Sequence, residues 1–166
     1  MQEEFDLSFF DEESSPEPQG KVGLVLCLSM LMADLVSARF VAQGYHWNVL
    51  GRNFSEFHEF FGEIYADYDS AVDPVAEDIR KLGVQAPYLL KDLVAMSQVD
   101  EPLIADGNPE LMLLSLLKVN AQLLESTKKT FDVANNLNEQ GIANFLAERI
   151  DVHQKWAWQI SATLGM

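Results

Sequence analysis

The feature that most constrains this chain is the spacing of its apolar residues, which follows helical steps and shows no sustained strand alternation. Between Lys21 and Trp47, Leu24, Leu28, Leu31, Leu35 and Val36 recur at three- and four-residue intervals, the pattern of one buried helix face. Gly51, Arg52 and Asn53 form a turn, and a second helix is predicted from Asn53 or Ser55 to Leu82, closed by Gly83 as its C-terminal cap. Pro74 falls inside that helix, where it removes a backbone donor and is expected to bend it. A short helix is predicted within Pro87 to Ser97, carried by Tyr88, Leu89, Leu93 and Met96. A third long helix should run from Pro109, capped by Asn108, to Asn136. Gly141 then interrupts, and a fourth should run from Ile142 to Leu164. The expected class is all-α: a four-helix bundle with a short helix in the long crossover between helices 2 and 3.

A chain of 166 residues suits one domain with a core large enough to need no disulfide or metal staple. Residues 1–20 carry seven acids and no base, and Ser14, Ser15, Pro16 and Pro18 break any periodicity. They are expected to form a flexible tail ahead of a bundle over 21–166. Phe5, Leu7, Phe9 and Phe10 are apolar for such a tail and suit docking on a neighbouring subunit or another partner. The single cysteine, Cys27, sits among Leu26, Leu28 and Met30 and is expected to be a reduced core thiol. No apolar run reaches the roughly 20 residues of a membrane span, and the acidic start does not suit a secretory leader. A cytoplasmic protein is therefore expected. A net charge of -15, with few and scattered bases, argues against binding nucleic acid, whose affinity comes from Lys and Arg neutralising phosphates.

Two histidines, His46 and His58, lie close together among acids, and Asp73 and Glu77 follow. Imidazole with carboxylate suits ferrous iron that keeps positions open for an oxidant. Each residue alone has an ordinary explanation: a histidine near a helix end often caps or packs, and an acid pair is usually a solvated face. Their geometry adds a constraint. Asp73 and Glu77, four apart, share one helix face. His58 and Asp73 are fifteen apart on one helix, or roughly 22 Å at the helical rise. One metal cannot span that distance, so a single site using all four residues must draw on two chains. Antiparallel pairing of this helix with its symmetry mate would create two such sites. A di-iron centre inside one bundle needs Glu three residues before a His on two helices. Here Gln43, Ser55 and Ile150 precede His46, His58 and His153, so that motif is absent.

The stretch His46-Trp47-Asn48-Val49-x-Gly51-x-x-Phe54-x-x-x-His58-Glu59 resembles the signature of the Dps family (DNA-binding protein from starved cells), the mini-ferritins of the ferritin-like superfamily. The likeness continues through Val72-Asp73, Ala76-Glu77-x-Ile79-Arg80-x-Leu82-Gly83, Ala86-Pro87 and Leu89. It resumes at Arg149-Ile150-Asp151-x-His153-x-Lys155 and Trp158, covering about residues 22–165. The resemblance implies a ferritin-like four-helix bundle, assembled from two-fold dimers into a hollow dodecamer with ferroxidase sites at the dimer interfaces. It further implies oxidation of Fe(II) by hydrogen peroxide or oxygen, storage of ferric iron and protection from oxidative damage. By position, His46 and His58 would be metal ligands from one subunit, with Asp73 and Glu77 from its partner. No catalytic group separate from the ligands is implied. Trp47 would sit beside the site, either quenching oxidising intermediates or simply packing.

The sequence departs from that pattern in three places. Where the family usually carries an acid four residues after the second histidine, this chain has Gly62. Glu63 is rotated about 100° from it, Glu59 also faces elsewhere, and Asp69 shares the face of Asp73 and Glu77 one turn earlier. The tail is acidic where many relatives have lysines, which again speaks against DNA binding. Asn144 stands where an acid is common near the iron-entry pore, with Glu139 and Glu148 nearby. His153, Trp156 and Trp158 read as structural or interface residues. An alternative is a Dps-like shell or scaffold with a weakened ferroxidase site, recruiting a partner through its tail.

Overall fold

The computed structural model describes residues 20–101, 103–104 and 106–166. The acidic tail and its Phe5, Leu7, Phe9 and Phe10 lie outside the described residues. Among the described residues five helices follow in order: α1 (Lys21–Asn48), α2 (Phe54–Lys81), α3 (Leu90–Met96), α4 (Pro109–Asn136) and α5 (Gln140–Thr163). No strand occurs among the described residues. α1 pairs with α2 and α4 with α5, α1 also packs on α4, and the short α3 rests on α1.

The apolar periodicity is buried as expected. Leu24, Leu28, Leu31 and Leu35 of α1 meet Phe61, Ile64, Val75 and Ile79 of α2, with Met112, Leu116 and Leu123 of α4 in the same core. Val36 lies at its edge, half-buried. Cys27 departs from the expectation: it is half-buried and lines a groove between α1 and α4 with Met30 and Lys129. By length and composition alone α1 could cross a membrane, but most of its apolar stretch is buried inside the bundle. It is the core helix against which α2, α3 and α4 pack.

Local chemistry sets the helix ends. The Asn108 side chain accepts hydrogen bonds from Glu110 N (2.9 Å) and Leu111 N (3.2 Å), and Pro109, which has no N–H to satisfy, opens α4. Gly83, at φ +84°, donates to Arg80 O and ends α2 in the left-handed conformation that a glycine adopts without strain. α2 runs unbroken through Pro74. The reversal before α5 differs from expectation. Gly141 sits inside the first turn of α5, and Asn138 (φ 57°) makes the break instead. Asn138 N and Glu139 N return to the carbonyls of Asn135 and Ala134, and asparagine tolerates this conformation better than most residues.

The crossover is pinned to α1 by a buried carboxylate. Asp34 accepts hydrogen bonds from Gln98 N (2.7 Å) and Ser97 Oγ (3.2 Å), just beyond α3. Burial raises its pKa above the usual carboxylate value, against the opposing pull of Gln98, Ser126 and Ser97. At the other end of the connection, Leu50 N donates to Gly107 O, and a Cβ at Gly107 would lie 2.7 Å from Asn48 O. Only glycine permits that approach, which holds the end of α1 and the start of α2 in place.

Candidate metal centre

The last turn of α1 and the first of α2 face each other across the Gly51 turn. Tyr45 points into the core, its hydroxyl 2.7 Å from Ser115 Oγ on α4 and its ring edge-on to Phe61. The next residue, His46, turns toward α2. His46 Nδ1 lies 2.6 Å from His58 O, and His58 Nδ1 lies 2.7 Å from His46 O. The rings stack with centroids 3.6 Å apart and planes 22° apart.

This reciprocal arrangement fixes the tautomer. A carbonyl oxygen only accepts, so each Nδ1 must carry a proton, and in its neutral form each ring has its lone pair on Nε2. An imidazole oriented by an Nδ1–H to carbonyl bond is the usual state of a metal-ligating histidine. The pair is held further by two aromatic rings that sequence reasoning did not single out for this role. Phe54 stacks on His58 at 5.0 Å, and Tyr65 meets His46 edge-on at 5.3 Å. The i, i+4 spacing of Phe54 and His58 on α2 was the available signal. Tyr65 had none, because its contact is made across to α1.

Asp73 and Glu77 project from α2, both exposed. Since α2 is one helix, Asp73 stands about 22 Å and Glu77 about 28 Å along it from His58. The structure thus brings His46 and His58 together and does not bring Asp73 and Glu77 to them. Among the described residues of one chain, no three His, Cys, Asp or Glu side chains gather as a metal-binding group. Asp69 forms an ion pair with Arg39 Nε at 3.2 Å, which engages the charge it could have lent. Gly62 faces His46: a Cβ there would lie 3.3 Å from its Nδ1 and 3.4 Å from its Cε1. Trp47 is 62% exposed, so it does not pack within its own chain.

A second polar cluster joins α2, α4 and α5. Arg149 donates to both oxygens of Asp67, at 2.8 and 2.9 Å, and Trp156 Nε1 donates to Asp67 Oδ2 at 2.8 Å. Burial alone would raise the Asp67 pKa, but the Arg149 hydrogen bonds and charge, with Trp156, outweigh it and hold it below the usual value. His153 is fully buried; its Nδ1 lies 2.9 Å from Asn120 Oδ1, and Asn120 Nδ2 donates to His153 O. Burial and the Arg149 charge push its pKa down to about 3, so the imidazole is neutral and structural, as expected. Trp156 is half-buried against Phe60, whereas Trp158 is 67% exposed and not part of the core. Asn144 and Glu148 are both exposed on α5, 3.4 Å apart.

The model of the ferritin family, described as a ferritin-like domain, matches residues 27–166. The chain belongs to the ferritin-like family. Among curated relatives, an uncharacterised protein of Haemophilus influenzae is 32% identical over 120 residues, 72% of this chain and 74% of that protein. The DNA protection during starvation protein 2 of Bacillus anthracis is 27% identical over 121 residues, 73% of this chain and 82% of that one. Among solved structures, the Dps protein of Vibrio cholerae superposes with a TM-score of 0.82 at 23% identity, covering 91% of this ferritin-like chain and 99% of its own. It is described as a member of a broad superfamily of ferritin-like diiron-carboxylate proteins. The expected Dps resemblance and the ferritin-like bundle with its crossover helix are thereby borne out.

Proposed function

We propose that this ferritin-like chain is a Dps-like mini-ferritin subunit that binds and oxidises Fe(II) at sites shared between two subunits and stores the ferric product. The observation that carries this reading is the histidine pair. Two imidazoles fixed with Nδ1 on backbone carbonyls keep Nε2 available at the end of a bundle whose described residues supply no third ligand nearby. Asp73 and Glu77, exposed and far along the same helix, complete the site when α2 pairs antiparallel with α2 of a second subunit. Iron is substrate and cargo. Two ferrous ions each give one electron to a peroxide, which takes up two protons and leaves as two waters; oxygen is the other candidate oxidant. The carboxylates favour the ferric product, and the enclosed shell receives it. Such a protein would be a cytoplasmic dodecamer, protective against oxidative damage, with no call on DNA given its net charge.

A second reading is favoured by Gly62: a Dps-like shell or scaffold whose site has lost turnover, with the acidic tail recruiting a partner. One experiment separates the two. The purified assembly is loaded with Fe(II) without oxygen, peroxide is added, and ferric absorbance is followed while mass is measured on the same preparation. Oxidation well above the protein-free rate in a dodecamer is the expected result. A dodecamer giving only the background rate would establish the scaffold.

A further inference from the structure

Resting on the reading that His46 and His58 of one subunit face Asp73 and Glu77 of another, we infer that Gly62 restricts each shared site to a single divalent ion. Position 62 lies beside the His46 ring: a Cβ there would stand 3.3 Å from Nδ1 and 3.4 Å from Cε1. A side chain there would stand against the His46 ring, and this chain puts none there. The other acids of this stretch of α2 do not replace it. Asp67 is committed to Arg149 and Trp156, Asp69 is paired with Arg39, and Asp78 is buried against Lys81 at 2.8 Å. Glu63 is turned about 100° from position 62, and Glu59, about 60° around the helix and one turn earlier, is exposed.

The remaining donors are two Nε2 atoms and two carboxylates, because each Nδ1 is bound to a carbonyl. Shared over one ion, with water, these fill a shell of nitrogen and oxygen donors suited to Fe(II). Divided over two ions, they leave each with one nitrogen and one carboxylate. Charge points the same way. Two carboxylates balance one doubly charged cation, and a second, at the roughly 3.5–4 Å spacing of two-metal sites, would meet its neighbour's full repulsion with nothing to offset it. Gly62 thus acts on the number of ions held, which a count without oxidant reads directly.

The test is a count made without oxidant. Assembled protein is titrated anaerobically with Fe(II) by calorimetry, with bound iron measured after dialysis. Glu77→Gln serves as the blank for iron held elsewhere in the shell. The wild type is expected to hold one Glu77-dependent ion per subunit, Gly62→Ala also one, and Gly62→Asp two. Two such ions per wild-type subunit would overturn the inference, as would a folded Gly62→Asp assembly still holding one. If Gly62→Asp fails to assemble, the wild-type and Gly62→Ala counts decide. No Glu77-dependent ion at all would defeat the shared site itself, a different failure from a count of two.

Discussion

Glu77→Gln is expected to slow the initial oxidation of Fe(II) by peroxide by at least about 10- to 100-fold, the range seen when even the outer partners of metal ligands are lost. The substitution keeps the shape of the side chain and removes its charge. In a site with only two carboxylates, that leaves half the negative charge available to stabilise Fe(III) over Fe(II), and an amide oxygen is a weaker donor than a carboxylate. Glu77 is exposed in the single chain, where it has no core contact to lose, so folding should be unaffected. Rapid-mixing absorbance gives the rate and size-exclusion chromatography with light scattering gives the mass. An unchanged rate in an intact assembly would remove Glu77 from the site.

The second large effect concerns stability. Arg149→Met should destabilise the fold by about 3 kcal/mol, the lower end of the cost of breaking a buried ion pair, because the Asp67 side chain keeps 21% of its exposure. Methionine keeps the length and apolar stem of arginine but leaves Asp67 with Trp156 as its remaining donor and removes the guanidinium beside His153. For a domain of this size that corresponds to a melting temperature lower by on the order of 6–12 °C. Adding Asp67→Asn should recover part of the loss, since the stranded charge goes with it. Thermal unfolding of the single and double variants measures both. A single variant within about 0.5 kcal/mol of wild type, the range of an ordinary surface change, would show that the pair does not tie α2 to α5.

Much of the fold was legible because its signals are local. Leucine spacing marked α1, Asn108 and Pro109 marked the start of α4, and Gly83 marked the end of α2. The turn before α5 was misplaced at Gly141 because glycine is the stronger breaker by composition. The structure instead uses Asn138, whose positive φ is set by hydrogen bonds to Asn135 and Ala134. Cys27 was expected in the core from its apolar neighbours. One step of helical rotation put it at the α1–α4 groove instead. The Asp67–Arg149 pair joins residues 82 apart and left no local trace to read. At the candidate site, residue types and spacing singled out the two histidines, and the helical rise meant that one site using all four residues would need a second chain. The crossed Nδ1–carbonyl bonds were not legible, since they depend on how the Gly51 turn brings α1 and α2 face to face.

A site built by two subunits can be reconstituted from two inactive ones, and complementation measures this. Subunits carrying His46→Ala and His58→Ala are co-assembled in equal amounts with subunits carrying Asp73→Asn and Glu77→Gln. Neither variant alone should oxidise Fe(II) above background. With random pairing, half the two-fold interfaces are mixed and each mixed interface holds one complete site of two, so activity should return to about a quarter of wild type. A mixed assembly no more active than the average of its parents would contradict a site shared between chains.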